Sequence, residues 1–160
     1  QRAIETFYSK WKHESLVINK WFGLQASSHH PDTFKAVQSL WGHPDFVKTN
    51  PNKVYSLIRT FGRNLISFHS GNGETYQFMA KAIIELDKLN PQVATRVASS
   101  FDLWTKLPAN LKEKAALSLW EIKESGLSKN TFDIISKNLE AAHPDLKFMT
   151  SKNGIPAAST

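Results

Sequence analysis

The sequence predicts an all-α fold, a right-handed α-solenoid of about eight helices in HEAT- or armadillo-like pairs. Apolar residues recur at helical spacing along most of the chain, and strand-like alternation is almost absent. The joints between these segments are short and marked by Pro or Gly. The Asn-Pro steps at 50–51 and 90–91 lie 40 residues apart. This spacing is close to the HEAT or armadillo period of about 40–47 residues. A four-helix bundle would need fewer and longer helices.

Four helices are predicted before the first glycine-rich loop. Residues 2–12 and 14–26 carry apolar side chains one turn apart, and 31–42 has a proline in its first turn. Asn50 is expected to cap the fourth helix, which begins at Pro51. The predicted inner faces are Ile4, Phe7, Tyr8 and Trp11; Leu16, Val17, Trp21, Leu24 and Gln25; Phe34, Val37, Leu40 and Trp41; and Val54, Leu57, Ile58 and Phe61.

Two more helices follow a loop at 62–74, which is expected to hold one short helical turn. Residues 75–90 form the clearest helical pattern of the chain. Asn90 and Pro91 end that helix and cap the next. The predicted inner faces are Tyr76, Met79, Ile83 and Leu86, and then Val93, Val97, Phe101 and Trp104.

The last two helices are predicted beyond a break at Pro108. A capping-box pattern at 110–113 opens the first of them, and Gly126 ends it. The second follows Asn130. Their predicted inner faces are Ala115, Leu119 and Ile122, and then Phe132, Ile135 and Leu139.

The domain organisation follows from length and composition. A chain of 160 residues with 41% apolar and 21% charged residues is that of one folded domain. Residues 1–142 are predicted to form this domain. Residues 143–160 are predicted to form a loosely ordered tail, which is either native sequence or was added by cloning. The chain opens in mid-pattern without a Met, so we expect it to be a piece of a longer protein.

Composition also limits location and partners. The chain has no cysteine, which removes disulfides and thiolate metal sites and fits the cytoplasm. No apolar run approaches the roughly 18–20 residues that span a membrane. The net charge is +6, but the basic residues are spread out, so nucleic acid is not the expected partner.

The motifs that would indicate catalysis are incomplete. His13-Glu14 begins like the zinc motif H-E-x-x-H, but Val17 stands where the second histidine belongs. No cysteine nucleophile and no G-x-S-x-G elbow is present. The residues therefore predict no catalytic group and no metal ligand in this chain.

The tripeptide His-Pro-Asp occurs at 30–32, 43–45 and 143–145. It is similar to the chaperone-contacting signature of J-domains. A J-domain is shorter, however, has one copy, and places it after a basic helix. Since proline is suited to the start of a helix, the copies are interpreted as helix joints.

Four stretches in order carry a family resemblance: KWFGLQA at 20–26, HPDFVKTNPNKV at 43–54, SFH with TYQFM within 67–79, and LDKLNPQVATRV at 86–97. Together they resemble the C-terminal helical domain of bacterial aminopeptidase N, a family of gluzincin-type zinc alanyl aminopeptidases. The resemblance covers about residues 3–142.

The resemblance implies an armadillo-like domain at the end of a four-domain enzyme. In that family the domain packs over the catalytic domain of the same polypeptide, encloses the active-site cavity and lines the channels for peptide substrates. The zinc and the catalytic residues belong to domains absent here. The resemblance therefore implies no cofactor in this chain and no peptidase activity for it alone.

The resemblance also implies three substrate-channel candidates. Arg96 matches an arginine that faces the family's inner cavity, where a guanidinium can meet a peptide carboxylate. Tyr55 stands where a second cavity arginine is expected, and Lys53 keeps the neighbouring basic position. The simpler interpretation of Arg96 is an arginine on a solvated helix face.

Two other functions stay open from the sequence. A HEAT-like module that binds nucleic acid or a protein partner would use the +6 surface, and its binding to nucleic acid would weaken steeply with salt. A chaperone-interaction module would depend on His43.

Overall fold

The computed structural model describes residues 2–141, and all regular elements in that range are helical. The helices are α1 (Arg2–Trp11), α2 (Ser15–Ala26), α3 (Thr33–Trp41), α4 (Pro51–Val54), a π-helical segment (Tyr55–Arg59), α5 (Thr60–Arg63), α6 (Leu65–Phe68), α7 (Glu74–Leu89), α8 (Pro91–Ala98), 3-10 turns at Ser99–Phe101 and Trp104–Lys106, α9 (Ala109–Glu124) and α10 (Lys129–Glu140). The predicted all-α class is confirmed. The predicted tail at 143–160 lies outside the described residues.

The segment from 51 to 63 is one continuous helical run, because α4, the π-helical segment and α5 follow each other without a break. The described part of the chain then holds nine helices, the eight predicted ones and α6. The short turn α6 lies in the glycine-rich loop, where one helical turn was expected.

Both Asn-Pro steps begin helices as predicted. The Oδ1 atom of Asn50 accepts hydrogen bonds from the N–H groups of Asn52 at 3.0 Å and Lys53 at 3.4 Å. The Oδ1 atom of Asn90 does the same for Gln92 at 3.1 Å and Val93 at 3.3 Å. Each asparagine thereby satisfies N–H groups that a helix start leaves without a partner.

The helices stack in pairs along the chain. The helix α2 packs against α1, α3 and the run 51–63, and α7 packs against α8 and α9. The helix α8 also packs against the run 51–63 and against α10. Contacts mainly between neighbouring pairs are the arrangement of repeat solenoids, in which stacking buries a continuous core.

Aromatic rings connect the repeats through the core. The ring centroids of Phe34 and Phe61 are 5.8 Å apart, those of Phe61 and Phe68 5.8 Å, and those of Phe68 and Phe101 5.7 Å. The last two pairs meet edge to face, a favoured arrangement of aromatic rings. A Cβ atom on Gly62 would lie 2.0 Å from the Oγ atom of Ser100, so this close approach requires glycine.

Five predicted helix starts differ from the observed ones, those of α2 and α7 by one residue and those of α3, α9 and α10 by two. Pro31 lies in the turn before α3. In this turn the Asp32 N–H donates a hydrogen bond to the Nδ1 atom of His30 at 3.1 Å. The predicted capping box does not form, because α9 begins at Ala109 after Pro108 and has no side-chain cap. The helix α10 begins at Lys129, so Asn130 lies inside it.

Parts of the predicted inner faces are exposed. Phe7, Leu16 and Leu24 are 40%, 77% and 65% exposed, and α1 has no buried residue. The buried side of α2 instead includes Ile18 and Phe22, which the sequence pattern missed. Because α2 is apolar on more than one side, its spacing alone does not select the buried face.

The His-Pro-Asp copy at 43–45 is a structural joint. The imidazole of His43 lies edge-on to Tyr8 and Phe22, with centroids 5.2 Å and 6.0 Å apart. The hydroxyl of Tyr8 donates to the Oδ2 atom of Asp45 at 2.5 Å, and this bond raises the pKa of Tyr8. These contacts fasten α1 to the rest of the domain.

Asp87 of α7 caps α10 from outside that helix. Its carboxylate accepts hydrogen bonds from the Ser128 N–H at 2.7 Å, the Ser128 hydroxyl at 2.6 Å and the Thr131 hydroxyl at 2.5 Å. Burial opposes the ionisation of Asp87, but the bonds from Ser128 and Thr131 outweigh it and lower the pKa of the carboxyl.

Replacing the Asp87 carboxylate tests this cap. We expect Asp87→Asn to lower the free energy of unfolding by about 2–3 kcal/mol, since hydrogen bonds to a charged partner are lost and buried donors remain. Asp133→Asn, an exposed change on α10, should shift it by less than about 0.5 kcal/mol. Equal effects of the two changes in urea unfolding would contradict the capping role.

The lowered pKa of Asp87 also predicts a dependence of stability on pH. A carboxyl whose pKa is lower in the folded state stabilises the fold fully above its ordinary value of 3.8 and loses this contribution as pH falls through the folded pKa. The difference in stability between the unmodified chain and Asp87→Asn should therefore shrink below about pH 4. If the difference in unfolding free energy between the two proteins stays constant from neutral to acid pH, the proposed role of the ionised Asp87 is refuted.

Candidate functional site

A metal centre is not found in the part of the chain that the structure describes. Among residues 2–141, no three side chains of His, Asp or Glu come together as a metal-binding group. In the same range no helix is both long and apolar enough to cross a membrane.

Two of the three predicted site residues lie in contact. The Nη1 atom of Arg96, on α8, donates a hydrogen bond to the Oη atom of Tyr55 at 3.2 Å. The guanidinium carbon of Arg96 is 5.7 Å from the centroid of the Tyr55 ring, within the range of a cation–π contact. The ring and its hydroxyl both hold the guanidinium in place.

A second arginine, which the sequence reasoning missed, contacts the same tyrosine. The guanidinium carbon of Arg59 is also 5.7 Å from the Tyr55 ring centroid. The Nε atom of Arg59 is buried and has no hydrogen-bond partner within residues 2–141. The spacing of four residues between Tyr55 and Arg59 was the available signal, because such residues meet on a helix surface. We call Tyr55, Arg59 and Arg96 the arginine–tyrosine cluster.

The π-helical segment places the cluster at the surface. Leu57 and Ile58 are fully buried, so the residues at its two ends, Tyr55 and Arg59, lie towards the opposite side. The Tyr55 carbonyl accepts a hydrogen bond from the Thr60 hydroxyl at 3.1 Å, spanning five residues as the wider π turn does. Single π turns in α-helices are frequent at functional sites.

The positive charge of the cluster is not balanced by neighbours. In the described range, the ion pairs join Asp32 to Lys35 and Lys48 to Glu85, and the Nδ1 atom of His30 lies 3.7 Å from the Asp32 carboxylate. Neither Arg59 nor Arg96 is within ion-pair distance of a carboxylate there. Arg96 is exposed and Arg59 partly buried, so an anionic group from solvent can reach the cluster.

The third predicted residue points elsewhere. The Nζ atom of Lys53 lies 5.6 Å from the ring centroid of Phe22 on α2. Lys53 is thus on the same helical run as Tyr55 but contacts the neighbouring helix α2. That Lys53 lines a substrate channel stays a prediction.

A second polar pair, His69 and Tyr76, is structural. The Nδ1 atom of His69 is 2.8 Å from the Tyr76 hydroxyl. Burial lowers the pKa of His69 and raises the pKa of Tyr76 to about 12. Tyr76 is only 1% exposed, and its ring packs against Phe68 with centroids 5.3 Å apart. Tyr76 therefore belongs to the core, and the partly buried His69 lies at its edge.

The family of this chain follows from a comparison with known protein families. Residues 1–140 match the family model described as DUF3458_C, a domain of unknown function with ARM repeats. The chain belongs to this family. The match agrees with the stacked helix pairs and confirms the armadillo-like fold expected for this DUF3458_C domain.

The relatives of this DUF3458_C domain are bacterial aminopeptidases. It is 36% identical to aminopeptidase N of Caulobacter vibrioides over 141 residues, which are 87% of this chain and 16% of that protein. It is 33% identical to aminopeptidase N of Escherichia coli, over 85% of this chain and 16% of that protein. These matches confirm the resemblance to a domain of aminopeptidase N.

A solved structure agrees in fold. The crystal structure of Legionella pneumophila aminopeptidase A in complex with aspartic acid matches with a TM-score of 0.82 and 37% identity. The match covers 87% of this chain and 16% of that one. The DUF3458_C domain thus spans about one sixth of the length of the proteins that it resembles.

Proposed function

We propose that this DUF3458_C domain is a non-catalytic part of a zinc-dependent aminopeptidase, an enzyme that removes N-terminal residues from peptides. In this proposal it caps the active-site cavity and lines the channels by which peptides enter and leave. The names of its relatives support the parent activity. The geometry of the arginine–tyrosine cluster supports a role in substrate contact.

The observation that carries the proposal is the unbalanced charge around Tyr55. A peptide bound by its N-terminus at a catalytic centre extends its negatively charged C-terminus away from that centre. Guanidinium groups form strong, directional hydrogen bonds with carboxylates. Arg96, held in position by Tyr55, is the proposed contact to that carboxylate, and Arg59 supplies a second guanidinium although Tyr55 replaces the arginine expected there.

The proposed partner of the domain is the catalytic domain of the same polypeptide. Leu16 and Leu24 of α2 and Leu65 and Ile66 of α6 are more than half exposed, and such apolar surface favours contact with another protein part. The residues described here do not fit a zinc ion, so the zinc of the proposed enzyme would be held by its catalytic domain. A cytoplasmic location belongs to the proposal and rests on the lack of cysteine.

Removing the exposed guanidinium tests the proposal in the full-length enzyme. We expect Arg96→Ala to raise KM for longer peptides about fivefold, the effect of losing one solvent-accessible ion pair. Zinc content and the rate of hydrolysis of a small aminoacyl reporter should not change. In the proposed arrangement, the zinc ion and the small reporter both lie out of reach of the cluster.

The matched control is Arg63→Ala, which removes an exposed arginine at the end of α5. It should leave the kinetics of both substrates unchanged. Peptide kinetics of Arg96→Ala equal to those of Arg63→Ala would remove Arg96 from the site. A loss of reporter hydrolysis together with zinc would instead mean that the change disturbs the catalytic domain.

A further inference from the structure

An Asn-Gly step lies in the glycine-rich loop directly before α7. Asn72 is exposed, and Gly73 is the last residue before the helix, with φ of +100°. A Cβ atom on Gly73 would lie between 3.0 and 3.3 Å from side-chain carbons of Lys114 on α9. The positive φ of Gly73 favours glycine, and a side chain there would also press on the stem of Lys114. The loop is held closely against the stem of Lys114.

Lys114 also contacts the side chain of Asn72. Its ammonium group donates a hydrogen bond to the Oδ1 atom of Asn72. On the other side, the N–H of Asn72 donates to the Oε2 atom of Glu74 at 2.8 Å. The amide carbonyl of Asn72 is thus fixed beside a positive charge. A cation at a carbonyl oxygen stabilises the negative charge that develops there when a nucleophile adds to the carbonyl carbon.

We propose that Asn72 is a site of spontaneous deamidation, promoted by Lys114. The backbone nitrogen of Gly73 attacks the Cγ atom of Asn72 and forms a five-membered succinimide ring. The Cγ–Nδ2 bond breaks, and ammonia leaves with the proton that the Gly73 nitrogen loses. Because Gly73 has no side chain, it adds no steric hindrance to this attack.

Water completes the reaction. It adds to either ring carbonyl and breaks the bond from that carbon to the Gly73 nitrogen, leaving aspartate or isoaspartate at position 72. One water is consumed and one ammonia released, with no oxidation or reduction. A cavity of about 100 Å³ beside the step, lined in part by Lys114, Ser118 and Glu121, has room and polar partners for water.

The two products differ in their effect on the fold. Aspartate places a new negative charge beside Lys114 and near the N-terminus of the 16-residue helix α7, where negative charge is favourable. Isoaspartate adds a methylene group to the main chain just before Gly73. It displaces the start of α7, where the Thr75 hydroxyl is bonded to the Phe68 carbonyl at 2.6 Å.

Peptide mapping by mass spectrometry of the 160-residue chain, aged at mildly alkaline pH, tests the proposal. The unmodified chain should convert Asn72 to both products. Lys114→Met keeps most of the stem but removes the charge, and should slow conversion at Asn72 about fivefold. Lys114→Arg should keep the rate. Asn153-Gly154, the other Asn-Gly step of the sequence, is the internal comparator and should react equally in all variants.

Lys112→Met, which removes another charge from α9, is the matched control and should change neither rate. Thermal unfolding of each variant shows that the fold is kept. The proposal is overturned if Asn72 stays intact while Asn153 converts. It is also overturned if Lys114→Met reacts at Asn72 as fast as the unmodified chain or faster, because Lys114 would then only restrain the loop.

Discussion

The helix α8 packs against α7, α10 and the helical run 51–63, and this packing positions Arg96 relative to Tyr55. Val93, Ala94, Val97 and Ala98 form the inner face of α8 and are at most 3% exposed. The two alanines leave little side-chain volume between α8 and its neighbours, and close-packed interiors do not tolerate a shift of such a face. With that side buried, Arg96 lies on an exposed side of α8, where it contacts Tyr55.

The chemistry of the cluster follows from its position at the rim of the core. An arginine there keeps part of its hydration, so it contributes modestly to stability and remains available to a ligand. In the proposed function, Tyr55 restricts the motion of Arg96 before a ligand arrives, which lowers the entropy cost of binding. The cluster would then contact and orient a peptide, and residues 2–141 hold no metal-binding group.

The features predicted correctly from sequence are those that depend on neighbouring residues. Asn50 and Asn90 cap their helices through N–H groups two and three residues later. The start of α10 was missed because its cap, Asp87, lies 41 residues before Ser128. Arg59 was missed because the prediction followed the family motifs around Lys53, Tyr55 and Arg96, although its spacing of four residues from Tyr55 was readable in the sequence. The exposure of Leu16 and Leu24 depends on which helices are present to cover α2.

The proposed binding of a peptide C-terminus by the cluster is tested in the full-length enzyme with peptide substrates that end in a carboxylate and the same peptides ending in a carboxamide. If the arginine–tyrosine cluster binds the peptide C-terminus, KM should be about fivefold higher for the carboxamide peptides than for the carboxylate peptides. The difference should disappear when Arg59 and Arg96 are both replaced by alanine. An equal preference for the carboxylate with and without the two arginines would contradict the claim.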